Sequence, residues 1–344
     1  MQIFPPKSEH EWSRNAVEGR SEFAASAMKP RSLASSRVAC ILQGTENIRL
    51  VPGAFPSPPG VSSAGASVAE DREDRTDIDW KTMPKPLPEP RWPELDHDMA
   101  TIPLWPSDPA CAVYNVSFAL RASRTFLVSF PQSGNSWTRY LVEGATGVAT
   151  GAVYAAEDLI HFGTESQEGN LNGRVILIKI HANDRRRIPD DVPVILLIRD
   201  PAEAIISFFS FMNGEGNTKK WLRNVTDDIY FTKEFDDLFD LNLREWTKLA
   251  TDRLLYSQRL LVIPYEELKK DPIAQVRRAL AFLGVPADEG RLECLRRYSE
   301  VPALGLQTQV DPYTPEQKLA LAKAAVEVSE LLRERNFPPL PVYD

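Results

Sequence analysis

The sequence predicts a doubly wound α/β domain, a mainly parallel sheet flanked by helices, and three observations carry that prediction. Four short, almost continuous aliphatic runs, Phe126 to Phe130, Val175 to Ile180, Val194 to Ile198 and Leu260 to Ile263, read as strands buried on both faces. Stretches of helical periodicity separate them, as a strand and helix alternation requires. Each run also ends in polar residues: Pro131 to Asn135, then Lys179 and His181, then Arg199-Asp200-Pro201, then Pro264-Tyr265-Glu266-Glu267. In an open α/β sheet ligands collect outside the carboxyl ends of the strands, so four such ends predict one shared crevice.

The helices follow in order. After the first strand Trp137, Tyr140 and Leu141 fall at i, i+3 and i+4 on one face. After the third, Asp200 reads as an N-cap, with Pro201 at N1 and Glu203 at N3, a variant of the capping box. The run FDDLFDLNLREWTKLA sets Phe235, Leu238, Phe239, Trp246 and Leu249 at helical spacing, which predicts core. Thr314, Pro315 and Gln317 open a last helix in the same capped way. Residues 1–98 differ in kind: they lack periodicity, contain GAFPSPPGVSSAGAS and PKPLPEPRWPE, and predict a disordered tail ahead of a domain spanning 99–344.

Composition narrows the function. Of 344 residues, 48 are acidic and 40 basic, and 40 − 48 gives a net charge of −8, which argues against non-specific nucleic-acid binding. Any anion site must then be local. The apolar run at 192 to 198 is far shorter than the roughly 18 residues of a membrane span, so the chain reads as soluble. The start MQIFPPKSEHEWSRN puts prolines and charges where a secretory signal has its apolar run. Cys40, Cys111 and Cys294 are too far apart for a zinc cluster and too few for a disulfide framework, leaving room for one bridge. Asn115-Val116-Ser117 and Asn224-Val225-Thr226 fit the N-glycosylation pattern, a signal that is frequent by chance.

The first strand end carries the strongest chemistry. In FLVSFPQSGNSW a strand, a tight turn and a helix start leave backbone N–H groups pointing at one spot with the helix dipole behind them, an anion site. Gly134 permits close approach, and Ser133, Ser136 and the Asn135 amide add donors. The blander reading is that Ser133 or Asn135 merely caps the helix. A triphosphate loop carries Lys and then Ser or Thr after its last glycine, whereas Gly134 is followed by Asn135, Ser136 and Trp137. Lys179 and His181, two apart on a strand, point to one side, putting a cation and a base in one crevice. Arg199 is suited to bidentate phosphate binding, and Ser207 lies eight residues on, two turns into the next helix. Singly, these residues also read as a structural histidine, a salt bridge from Arg199 to Asp200 or Glu203, and a solvated serine.

In the order S-G-N-S-W, K-x-H, R-D-P with a serine eight after the arginine, and Y-E-E-L-K-K-D-P, the chain resembles the sulfotransferases that use 3′-phosphoadenosine-5′-phosphosulfate (PAPS). The likeness covers about residues 124 to 285. The form F-P-x-S-G-N-S/T-W-x-R-Y-L-x-E is most similar to the sialate O-sulfotransferase branch that carries WSC domains; no cysteine-rich WSC module is visible in the chain. The resemblance implies the P-loop-like sulfotransferase fold and PAPS as co-substrate, with no metal. It implies that Ser133, Gly134, Asn135, Ser136 and Trp137 hold the 5′-phosphosulfate, with Trp137 also near the adenine. Arg199 and Ser207 would hold the 3′-phosphate, and Tyr265 would contact the adenine. His181 falls on the family's general base and Lys179 on its assisting lysine. The acceptor would be a hydroxyl of a glycan or small molecule, and the compartment the Golgi lumen, with the cytoplasm as the alternative.

Two departures stand out. The usual loop lysine is Gln132, which the named branch also lacks; Lys179 or Arg139 could compensate, although Arg139 reads more simply as an exposed partner of Glu143 one helical turn on. The R-K-G element of many cytosolic relatives is missing near the end. Gln132 keeps open a catalytically silent relative that binds the spent nucleotide (PAP), while a P-loop kinase or NTPase is disfavoured by the loop ending and by the lack of a strand-end Asp for Mg²⁺. The glycines of Met212 to Asn217, with Lys219, Lys220 and Trp221, predict a loop beside the acceptor.

Overall fold

The computed structural model describes residues 92–153, 173–181, 188–213, 226–299 and 310–341. Residues 1–91 of the expected tail and 214–221 of the expected acceptor loop lie outside them. All described residues belong to one compact unit, Ala34–Asp344. Two short antiparallel pairs come first, β1 (Glu94–Leu95) with β4 (Ala119–Arg121), and β2 (Ile102–Pro103) with β3 (Asn115–Val116). Glu94 and Leu95, placed in the tail by their surroundings, are thus paired strand residues.

The main sheet holds β5 (Phe126–Ser129), β6 (Gly151–Ala152), β7 (Ile178–Ile180), β8 (Val194–Ile198) and β9 (Leu260–Pro264) in the spatial order β6-β7-β5-β8-β9. Every pairing in it is parallel. The predicted doubly wound sheet is present, with β6 as an added edge. Gly151 and Ala152 carry no β-branched signal, and they pair because Gly151 N–H and Val153 N–H donate to the carbonyls of Leu177 and Lys179. β5 lies between β7 and β8, so the chain reverses its direction of travel across the sheet there, and the crevice opens beside the end of β5.

Alternation along the strands sorts two cores. Phe126, Val128, Leu196 and Ile198 pack with α2 (Pro201–Asn213), α3 (Lys233–Tyr256) and α7 (Pro315–Glu334). Leu127, Ile195 and Leu197 pack on the other face with α1 (Asn135–Thr146), α4 (Tyr265–Lys270), α5 (Pro272–Leu283) and α6 (Glu289–Tyr298). The predicted stripe Phe235, Leu238, Phe239, Trp246 and Leu249 is buried in the first core. Fully burying each such side chain contributes about 1.5–3 kcal/mol. The capping box of α7 forms as predicted, Thr314 accepting from Gln317 N–H and Gln317 returning to Thr314 N–H.

The α2 box does not close. Asp200 does accept from Ala202 N–H at 2.7 Å, but Asp200 N–H goes to Glu266 at 2.9 Å, while Glu203 turns to Arg199. One cation and three carboxylates meet at that helix start, and Glu203 pairs with the Arg199 guanidinium rather than with a backbone N–H.

The one bridge for which the sequence left room is Cys111–Cys294, joining residues 183 apart. It ties the segment after Trp105 to α6. Trp105 stacks on Tyr298 with ring centroids 5.6 Å apart and donates to Tyr140 Oη at 3.0 Å, and Tyr140 donates to the Tyr298 carbonyl at 3.0 Å.

Candidate active site

The loop between β5 and α1 enters the helix without a side-chain cap, and Gly134 is the N-cap at φ 89°. The bland reading of Ser133 or Asn135 as a cap therefore fails, and the leading N–H groups of α1 are left for an anion. Gln132 is also left-handed, at φ 59°. An added Cβ on Gly134 would lie 2.7 Å from the Tyr265 ring, so the loop and the start of α4 meet at a point where only glycine fits. Ser133 Oγ and Asn135 Oδ1 are buried without a hydrogen-bond partner among the described residues. Buried orphan oxygens are uncommon in native folds; the Ser133 hydroxyl can donate to an anion in this loop, whereas the Asn135 oxygen only accepts and cannot.

The other predicted residues surround this loop. Lys179, 5% exposed on β7, donates from Nζ to Ser136 Oγ at 3.4 Å. His181, just past β7, lies with Nδ1 3.0 Å from the Ser129 carbonyl and 3.4 Å from Ser129 Oγ. A carbonyl only accepts, so Nδ1 carries the hydrogen and Nε2 keeps its lone pair. Burial first, then the nearby Lys179 and Arg139 charges, lower the His181 pKa to about 3, which holds the ring neutral.

On the far side Arg199, at the end of β8, donates from Nη1 to the Gln132 carbonyl at 2.9 Å and from Nη2 to Glu203 at 2.8 Å. Its guanidinium sits 4.8 Å over the Tyr265 ring, and Tyr265 meets Trp137 edge to face at 6.1 Å. Ser207 is buried on α2. Trp137 Nε1 donates to the Ser299 carbonyl at 2.9 Å, so the end of α6 holds this ring in place.

Residues 177–305 match the Sulfotransferase domain family, a span that includes Lys179, His181, Arg199, Ser207 and Tyr265. Two relatives carry the likeness upstream: a WSCD family member of Drosophila pseudoobscura pseudoobscura, 32% identical over 208 residues, and one of Aedes aegypti, 31% identical over 208. These alignments cover 58% and 59% of this chain. Over this span the chain is similar to the sulfotransferase family. It spans 64% of the length of each of those two relatives. A crystal structure of a mouse sulfotransferase complexed with PAP is similar at 17% identity and a TM-score of 0.42, covering 62% of this chain and 88% of that one.

Within this site, two residues sit otherwise than the sequence predicts. The Asn135 amide is not a spare donor: its Nδ2 donates to the Leu127 carbonyl at 3.3 Å and to Ser129 Oγ at 3.1 Å, tying the start of α1 to β5. Arg139 is no exposed partner for Glu143; it is 4% exposed, and its Nε donates to Thr150 Oγ1 at 2.8 Å. Both follow from α1 lying flat on the sheet, which buries a wider arc of the helix than the Trp137, Tyr140, Leu141 stripe predicts.

Supporting residues went unread because they lie far off in sequence. Trp246 Nε1 donates to the Arg199 carbonyl at 3.0 Å, and Glu266 accepts from Asp200 N–H at 2.9 Å. Trp246 showed only as a core stripe and Glu266 only as part of a polar strand end. Among the described residues no group of three or more His, Cys, Asp or Glu could hold a metal ion, and no helix is long and apolar enough to cross a membrane.

Proposed function

We propose that this domain is a PAPS-dependent sulfotransferase that moves a sulfuryl group to an acceptor hydroxyl, with His181 as general base. One observation carries the reading. A single uncapped loop has a neutral histidine and a buried lysine on its β7 side and an arginine beside an aromatic ring on its β8 side.

Bound PAPS would supply an activated sulfuryl group and a phosphate leaving group. Ser133, Gly134, Ser136 and the N–H groups at the start of α1 would hold its 5′ end, Arg199 and Ser207 its 3′-phosphate, and Trp137 and Tyr265 its adenine. An acceptor hydroxyl has a pKa far above 7, so its proton must leave as its oxygen attacks sulfur. With Nδ1 of His181 turned to the Ser129 carbonyl, Nε2 is the ring nitrogen that takes that proton. Lys179 and the helix N–H groups stabilise the negative charge that builds on the leaving oxygen. Sulfuryl transfer shares with phosphoryl transfer a dependence on alignment and charge stabilisation, which this arrangement provides.

The relatives include a flavonol 4′-sulfotransferase of Flaveria chlorifolia, 24% identical over 191 residues, and the WSCD proteins. The motif form of the WSC branch supports a carbohydrate hydroxyl as acceptor. The buried Cys111–Cys294 bridge supports an oxidising compartment, which favours the Golgi lumen over the cytoplasm.

The test is transfer of radiolabelled sulfate from PAPS to a panel of glycans and small hydroxyl compounds, with His181→Ala as control. Transfer by the wild type and its loss in the variant are expected. Transfer by the variant at the wild-type rate would remove His181 as the base. Tight PAP binding without transfer to any acceptor would favour the silent relative.

A further inference from the structure

Beneath the anion loop lies a buried polar trio that the mechanism above does not use. Arg139 and Glu143 stand one turn apart on α1 and are 4% and 0% exposed, and Thr150, 0% exposed, precedes β6. Arg139 Nε donates to Thr150 Oγ1 at 2.8 Å. Thr150 donates twice to Glu143 Oε1, from its N–H at 2.8 Å and its hydroxyl at 2.5 Å. Burial pushes the Glu143 carboxyl up to about 7 against the pull of Arg139. Such an arrangement is a costly fastener, because well-packed apolar side chains often stabilise a fold as much as a buried ion pair does.

What the trio fastens is specific. Thr150 leads into β6, where Ala152 pairs with Lys179 and Val153 N–H donates to the Lys179 carbonyl at 3.1 Å. Lys179 Nζ reaches back to Ser136 Oγ at 3.4 Å, and Ser136 lies one turn before Arg139 on α1. The contacts close a ring: α1, Thr150, β6, Lys179, and α1 again at Ser136. In this chain an uncharged Gln132 stands in the loop, so the charge on Lys179 carries more of the burden at the anion.

We propose that Arg139, Glu143 and Thr150 are positioning residues that hold Lys179 against the anion loop by fixing β6 and β7 to α1. The contact ring stands on geometry alone, while its catalytic consequence rests on the sulfotransferase reading. Arg139 also acts at a distance on the same side of the loop, since its charge helps keep His181 neutral.

The test uses the full chain and Thr150→Val, which removes the shared hydroxyl but keeps the branched shape and the backbone N–H. Arg139→Gln is the stronger second variant. Labelling of Lys179 by an amine-reactive ester, read by peptide mass spectrometry, is expected to speed up several-fold in both. Hydrogen exchange at the β8 amides is expected to stay at the wild-type level. Unchanged labelling of Lys179 in Thr150→Val, or a parallel rise at Lys179 and β8, would make the trio a plain fastener and overturn the proposal.

For transfer, both variants are expected to lower kcat about tenfold with KM for PAPS little changed, as a misplaced charge-stabilising group does. In a Lys179→Ala background the same substitutions are expected to change kcat by less than about twofold, because the group they position is gone. Losses that multiply instead would count against coupling through Lys179. If the wild type transfers no sulfate from PAPS, the functional reading fails, and Lys179 labelling still decides this one.

Discussion

The two sides of the β5–α1 loop are held in different ways. On the β7 side His181 and Lys179 are fixed by the protein's own strand carbonyl and helix hydroxyl, at Ser129 and Ser136. On the β8 side Arg199 is held by Glu203, whose side chain is 60% exposed, and by the Gln132 carbonyl. In the first set Lys179 is buried and His181 half-buried, each held by groups of the protein itself. The second is paired to groups that a phosphate can displace, since exposed ion pairs are worth little. On the proposed function, proton transfer and charge stabilisation fall to the β7 side and nucleotide capture to the β8 side.

Substitutions on each side break the contrast differently. His181→Ala is expected to lower kcat by roughly 10²–10⁴-fold, the usual worth of a general base, with PAP affinity unchanged in calorimetry. Gly134→Ala forces a left-handed alanine against the Tyr265 ring. It is expected to weaken PAP binding by about tenfold to a hundredfold, the equivalent of the roughly 1–3 kcal/mol that such strain costs. Arg199→Lys keeps the charge but loses the fork and the stacking on Tyr265. A loss in PAP affinity of about tenfold is expected, with kcat at saturating PAPS little changed.

Smaller effects sharpen the same division. Glu203→Gln removes the carboxylate that holds Arg199 in the free protein. PAP is expected to bind about twofold to fivefold tighter, in line with the worth of an exposed pair; weaker binding would show that Glu203 positions the arginine rather than competing for it. The smallest change concerns pH. Because the fold lowers the His181 pKa from 6.5 to about 3, kcat/KM is expected to show no acid limb near pH 6.5. The same shift carries a stability cost: below pH 6.5 the unfolded chain takes a proton that folded His181 refuses, so this residue destabilises the fold as pH falls towards 3. NMR titration of His181 checks both.

The sheet was legible because strands buried on both faces leave near-continuous aliphatic runs, as in Val194 to Ile198. β6 was not, because Gly151 and Ala152 pair through main-chain groups alone. In the candidate site the residues proposed for chemistry were legible at strand ends, and the structure brings them together: Lys179 and His181 contact the loop and its flanks at Ser136 and Ser129, and Arg199 contacts it at Gln132. Residues that hold those in place did not, since Trp246, Glu266 and the Arg139 trio read as core stripe, strand end and exposed helix pair. Their partners are set by which face of α1 or α3 meets the sheet, and periodicity locates a helix more readily than it resolves the width of its buried arc.

Titration of PAP into His181→Ala, without Mg²⁺, tests most directly whether one loop separates capture from chemistry. The account predicts the wild-type dissociation constant in a protein that no longer transfers sulfate. Lost binding in the variant, or binding by the wild type that requires Mg²⁺ and prefers ATP, would contradict it.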